Sequence, residues 1–209
     1  DNQLYVFYTF NKNGASYLRF KLLDSNATEL QDREIGNFSN SYTLKENQLV
    51  LSKNRQKILV YAPLENNQLE ILTFDLIEKH LIRQQKLNLD KFNYYRNFEK
   101  ILINNHGEVF LLSNFLNNKR KRSEHHFLVY QITDSSSTQK IPFPNFISFD
   151  FDLKYDEENQ RLVGVGLYGE DLFHVQGVFY FNSSNNRIIS NPFPPDFIRS
   201  LTGEKKKNI

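Results

Sequence analysis

Apolar and polar positions alternate with a period of two through most of this chain, and that period belongs to strands rather than helices. The run Leu4-Tyr5-Val6-Phe7-Tyr8-Thr9-Phe10 predicts an aromatic first strand. It is followed by Tyr17-Leu18-Arg19-Phe20-Lys21-Leu22, which sets Leu18, Phe20 and Leu22 on one face and Arg19 and Lys21 on the other. Asn13-Gly14 between them tolerates the positive φ angles of a tight hairpin, so the two strands are expected as antiparallel neighbours. Segment 24–47 is polar, with one short strand expected from Gln31 to Ile35.

Leu49–Leu51, Lys57–Tyr61, Leu69–Phe74 and Leu81–Leu89 then form a meander, with turns at Asn54-Arg55-Gln56 and Asn66-Asn67 separating its first three runs. The layout recurs in Lys100–Ile103, the turn at His106-Gly107, Val109–Leu112, Phe127–Tyr130 and a run ending at Ile141-Pro142-Phe143-Pro144. It recurs again in Phe149–Tyr155, Leu162–Tyr168, Gly177–Phe181 and Arg187–Ile189, closing on Asn191-Pro192-Phe193-Pro194. Helix signals are confined to Asp196, placed to cap a short turn holding Phe197, Ile198 and Leu201 before Gly203.

The spacing of equivalent strands carries the architecture. Second strands begin near Val6, Ile58, Val109 and Leu162, at intervals of 52, 51 and 53 residues. Third strands begin near Tyr17, Leu69, Phe127 and Val178, at intervals of 52, 58 and 51, the longest of which absorbs the Lys119–Glu124 excursion. An all-β unit of about 50 residues with up to four antiparallel strands resembles a β-propeller blade, nearer the long kelch-like repeat than the shorter WD type. The resemblance covers residues 4–194 and rests on periodicity. No Trp is present for a WD dipeptide and no paired-glycine kelch signature occurs, so it carries over no active site and no ligand. The approximate units are 1–47, 48–99, 100–147 and 148–209, read as one partial or irregular propeller domain: either an incomplete propeller whose remaining blades lie outside this chain, which is favoured, or an irregular four-bladed closure. A β-sandwich is the alternative.

Meanders this apolar on both faces need neighbouring sheets, as the consecutive pairs Leu59-Val60, Phe110-Leu111 and Leu162-Val163 indicate. Gly164 and Gly166 share one face and are expected either to admit a large aromatic or a second sheet at close range or to mark a bend in a single large sheet.

Composition agrees with this picture. Nineteen Phe and 11 Tyr suit pleated surfaces, and no cysteine is present to make a disulfide or a thiolate metal site. The formal net charge of +2 gives no extended field for a polyanion. The cluster Lys119, Arg120, Lys121 and Arg122 is read as a solvated hairpin tip and Lys205–Lys207 as an exposed tail, with polyanion binding through the first as the weaker alternative. No apolar run reaches the ~20 residues of a membrane-spanning helix. The chain opens without Met and is read as part of a processed or truncated polypeptide, with an extracytoplasmic or secreted setting favoured.

Chemistry-bearing patterns are few. Asp150 and Asp152 stand two apart on a strand and project from one face; on an inner strand they would line a tunnel and offer carboxylates to a hard cation or to acid–base catalysis. His125 and His126 are adjacent on a strand and point to opposite faces, which prevents them from jointly holding one metal. Phe143 and Phe193, at the centres of the two Pro-Phe-Pro segments, and Phe146 and Phe197, just after them, form either a plug between blades or a contact patch on the rim. No phosphate loop, dinucleotide fingerprint or nucleophile elbow is found, so no cofactor is expected. The leading expectation is a non-enzymatic scaffold presenting a rigid β-repeat surface to a protein partner. A hydrolase or lyase with a carboxylate-lined propeller tunnel is the alternative.

Overall fold

The computed structural model describes residues 3–39, 48–64, 68–88, 98–119, 122–132, 137–142, 147–170 and 174–197. Fifteen strands in these segments form four antiparallel meanders. The first sheet contains β1 (Leu4–Lys12), β2 (Ala15–Leu23) and β3 (Glu29–Phe38). The second contains β4 (Leu49–Leu51), β5 (Lys57–Leu64), β6 (Gln68–Asp75) and β7 (His80–Asn88). The third contains β8 (Phe98–Ile103), β9 (Val109–Lys119), β10 (Arg122–Ile132) and β11 (Ser137–Pro142). The fourth contains β12 (Ile147–Asp156), β13 (Arg161–Gly169), β14 (Gly177–Asn182) and β15 (Arg187–Pro192). Each four-stranded sheet runs in sequence order, which is the strand arrangement of a propeller blade.

The repeat is metrically regular. Strands β5, β9 and β13 begin at Lys57, Val109 and Arg161, 52 residues apart in both steps. Strands β1, β2 and β3 precede β5, β6 and β7 by 53, 53 and 51 residues, so the first sheet holds the equivalents of the second, third and fourth strands of a blade. Among the described residues nothing occupies the place of its first strand.

Local chemistry sets these strands. Asn13 (φ 54°) and Gly14 (φ 79°) close the β1–β2 hairpin with Lys12 opposite Ala15, as the Asn-Gly pair predicts. Strand β3 is ten residues long, twice the expected Gln31–Ile35 segment. Its charges are cross-strand partners rather than loop markers: Asp32 accepts from Arg19 at 2.9 Å and from the Tyr8 hydroxyl at 2.9 and 3.0 Å, and Lys21 reaches Glu29 at 2.7 Å. Burial works against the Asp32 carboxylate, but the Tyr8 hydrogen bond and the two cations outweigh it and hold its pKa below the ordinary value. The outward face of the first sheet therefore carries a charge network.

The chain divides into two compact units, Asp1–Leu111 with Gln131–Ser136, and Leu112–Tyr130 with Ser137–Ile209. In the first unit, Leu18, Phe20, Leu22, Ile35 and Phe38 of the first sheet pack on Ile58, Val60, Ala62, Leu72 and Phe74 of the second. Phe20 sits at the centre, with ring centroids 5.5 Å from Phe74 and 5.7 Å from Tyr5, whose hydroxyl donates to the Leu76 carbonyl at 3.0 Å. The opposite face of the second sheet is also covered: Leu59, Leu69 and Ile71 are fully buried, and Tyr61 stacks on Phe98 of β8 at 5.6 Å. Consecutive apolar residues in β5 are thus explained by two covered faces. Phe110 and Leu111 are both buried as well.

In the second unit, Phe127 of β10 packs on Phe151 of β12 at 4.9 Å, and Phe151 in turn meets Phe179 at 5.4 Å. Gly164 and Gly166 lie under these rings. A Cβ at Gly164 would sit 2.6 Å from Cζ of Phe151, and one at Gly166 would sit 2.6 Å from the Phe179 ring and overlap the Asp150 carbonyl oxygen. The expected close approach is made by aromatics of the same sheet, which fill the space the glycines leave.

One expectation fails here. Leu162-Val163 reads like Leu59-Val60, yet only Leu162 is buried, and the fourth sheet leaves its other face open. The helix at the chain's end is limited, within the described residues, to 195–197.

Candidate functional site

The open face of the fourth sheet is a lattice of three rows and four strands, and its turns fix the register. At the β12–β13 turn, Asp156 accepts from Asn159 Nδ2 at 2.8 Å, from the Asn159 backbone N–H at 3.3 Å and from Arg161 at 3.4 Å, and Gln160 takes a positive φ of 49°. The side-chain hydrogen bond from Asn159 is the largest influence, and with the others it holds the Asp156 pKa below its ordinary value against partial burial. At the β14–β15 turn, Asn182 Oδ1 accepts the Ser184 N–H at 3.0 Å and Asn185 Oδ1 accepts the Arg187 N–H at 3.1 Å. Ser183 Oγ accepts the Leu162 N–H at 2.9 Å, tying this turn to β13.

With the register set, side chains at alternate positions fall into rows. The first row is Asp150, Leu167, Val178 and Asn191; the second is Asp152, Val165, Tyr180 and Ile189; the third is Lys154, Val163, Asn182 and Arg187. The middle row is the most exposed apolar feature of this sheet: Val165 is 55% exposed, Ile189 54% and Tyr180 37%. Leu167, Val178 and Val163 are half-buried beside it. Asp150 stands on the first row, Asp152 at the β12 end of the middle row, and Lys154 and Arg187 at the two ends of the third, so charges of both signs flank an apolar centre of Val165, Tyr180 and Ile189.

This lattice is where Asp150 and Asp152 lie. Both are exposed on β12, a sheet edge, with Leu167 and Val165 as cross-strand neighbours, and Asp152 is 4.0 Å from Lys154 Nζ. They share a face, as their spacing requires, and that face is open. Among the described residues no group of three or more His, Asp or Glu is arranged to hold a metal ion.

The other candidates stand apart from it. Lys119 ends β9 and Arg122 opens β10, so the basic cluster spans a hairpin connection; Arg120 and Lys121 lie outside the described residues. Phe143 and Phe146 also lie outside them. Phe193 and Phe197 pack edge to face at 5.0 Å just after β15, with Phe193 half-buried and Phe197 44% exposed. His126 stacks on Phe115 at 5.3 Å, an aromatic packing role. Sequence reasoning did not single out Val165, Tyr180 and Ile189, because assembling them into a row needs the register across three hairpins. The available signal was the alternation Asp150, Asp152, Lys154 along β12, which marks the solvent side.

No helix among the described residues is long and apolar enough to cross a membrane. No family model matches the chain, and no curated protein is significantly similar to it. Among solved structures, an ACO/RPE65 chimera in a trigonal crystal form superimposes with a TM-score of 0.49 at 8% identity, covering 91% of this chain and 46% of its own. TolB from Acinetobacter baumannii gives 0.40 at 12% identity, over 90% of this chain and 41% of its own. The endo-arabinase from Bacteroides thetaiotaomicron gives 0.36 at 10% identity, over 91% and 80%. The chain spans about half the length of the chimera. At these identities and scores the likeness transfers no ligand, activity or partner. No family is identified, and the chain stands as a propeller-like β-repeat known by its own sheets.

Proposed function

We propose that this chain is a non-enzymatic interaction module that presents the open face of its fourth sheet to a protein partner. The observation that carries the reading is the middle row, where Val165, Tyr180 and Ile189 stand exposed side by side on a face flanked by charges of both signs. Apolar residues at the centre of a patch with a polar rim are the composition of a protein-binding surface. The underlying sheet is rigid, since its inner side is packed by Phe151, Phe179 and Phe181, so the face is presented with little ordering cost on binding.

A photo-crosslinking residue placed at Val165 or Ile189, and as a control at Ile77, an exposed turn residue, tests this in the cells that make the protein. Protein adducts formed from Val165 and Ile189 but not from Ile77 are expected. Adducts formed equally from all three, or none from the fourth sheet, would overturn the reading.

A further inference from the structure

We propose that the partner of the fourth sheet's open face is the same face of a second copy of this chain, related by a two-fold axis lying across the strands. This rests on the reading of that face as a protein-binding surface and goes further by naming the occupant.

The pattern of charge supplies the reason. In an isologous pair the same patch must complement itself, and two arrangements place one sheet face on the other. An axis across the strands reverses strand direction, so the first row of one copy meets the third row of the other. Asp150 then faces Lys154 of the second copy twice over, Leu167 faces Val163, and Arg187 faces the Asn191 side chain, a neutral acceptor. The middle rows coincide, setting Val165, Tyr180 and Ile189 each near its own equivalent and enclosing the most exposed apolar side chains of the sheet. An axis along the strands instead lays β12 over β15. It sets Lys154 against Arg187 twice and drives the Asp152 carboxylate onto Ile189. Like charges and a desolvated carboxylate disfavour that arrangement. Asp150, Asp152, Lys154 and Arg187 sum to zero on each copy, so the face itself carries no net charge.

The favoured arrangement has one internal cost. Asp152 lies in the middle row, so the two Asp152 carboxylates come together near the axis, each with its own Lys154 alongside at 4.0 Å. Four strands about 4.8 Å apart and three rows about 7 Å apart give a face of roughly 400 Å² in projection. That is below the ~800 Å² per partner of a standard stable interface, so a weak dimer is expected, with a Kd of roughly tens of micromolar.

Sedimentation velocity of the full chain from about 5 to 500 μM reads the association directly, and far-UV circular dichroism checks that each variant is folded. The wild type is expected to pass from monomer to dimer in this range. Val165→Lys with Ile189→Lys should weaken association at least about tenfold, as exposed positions that tolerate lysine in the monomer. Asp150→Lys and Lys154→Asp should each weaken it by about threefold or more, and the two together should restore it, because the exchanged charges still meet across the axis. Asp152→Asn should tighten it.

A chain that remains monomeric to the highest concentration, or a dimer indifferent to Val165, Ile189 and the charge exchange, would overturn the proposal. The adducts of the crosslinking experiment separate the two readings. A Val165 adduct with the mass of two copies supports the second copy. A face-specific adduct with a different protein overturns the second copy and leaves the interaction surface standing, and no face-specific adduct removes both.

Discussion

At the scale of single residues, the fold depends on positions where one atom more or one charge less is not tolerated. Gly166 is the sharpest case, because a Cβ there would overlap the Asp150 carbonyl oxygen, a backbone atom with no rotamer to escape into. At Gly164 the nearest obstacle is the Phe151 ring, which is a side chain. Gly166→Ala is therefore expected to destabilise the protein by about 3 kcal/mol and Gly164→Ala by about 1–2 kcal/mol. Adding Phe151→Leu should recover part of the second loss and little of the first. Urea unfolding of the four variants checks this, and equal losses at both glycines would contradict it. Asp75 is the corresponding case for charge. It is 4% exposed, pairs with Lys57 across the β5–β6 ladder and accepts the Ile77 and Glu78 N–H groups at 2.8 and 2.9 Å. Burial alone would raise its pKa; the Lys57 hydrogen bond and the two backbone donors outweigh it, and the net shift is downward from 3.8. A carboxylate with a lower pKa folded than unfolded stabilises the fold fully above the unfolded value, and the contribution fades as pH falls through the folded one. Asp75→Asn should cost roughly 2 kcal/mol at pH 7, with the gap to wild type closing as pH falls below about 4. Urea midpoints measured from neutral to acid pH would show a constant gap if this were wrong.

At the scale of elements, the first sheet has three strands among the described residues and an outward face of charges, so its place depends on the apolar side it shares with the second sheet. Phe20 and Phe74, one from each sheet and both almost fully buried, form the central contact at 5.5 Å. Each alanine replacement is expected to cost about 3–5 kcal/mol. The double replacement should cost less than the two together by about 1 kcal/mol, the coupling of an aromatic pair. A cycle with no coupling would place Phe20 outside the contact. These strands were legible in the sequence because their alternation is local: Leu18, Phe20 and Leu22 announce a face without knowledge of what covers it. Strand β3 was half missed, since Asp32, Arg33 and Glu34 look like a loop until Arg19 and Lys21 stand beside them. The repeat period was legible for the same local reason, as each hairpin fixes its own length. The candidate face was legible only in part. Asp150 and Asp152 declare a shared side of β12, but Val165, Tyr180 and Ile189 become neighbours only after the Asp156 and Asn182 turns set the register, and burial of Val163 cannot be told from that of Val60 by residue type.

At the scale of the whole molecule, repeats of one design are given unequal environments, and that inequality should be measurable as a gradient of local stability. Every residue from Ile58 to Ala62 and from Leu69 to Leu76 is buried, so β5 and β6 have apolar cover on both faces and ladder partners on both edges. Strand β13 is also paired on both edges, but its residues alternate between the Phe151 and Phe179 side and open solvent. Strand β15 is a sheet edge in which Ile188 is half-buried and the other five residues are exposed. An amide exchanges through the least costly opening that frees it, and that cost rises with the apolar area that must be uncovered. Native-state hydrogen exchange followed by mass spectrometry is therefore expected to rank the strands, with β5 and β6 slowest, β13 and β14 intermediate and β15 fastest. If the open face of the fourth sheet meets a second copy, the intermediate class should slow as protein concentration rises from about 5 to 500 μM, while Val165→Lys with Ile189→Lys leaves it unchanged. One uniform rate across all four sheets would mean that only global unfolding exposes the amides, and would remove the inequality on which the open face is argued.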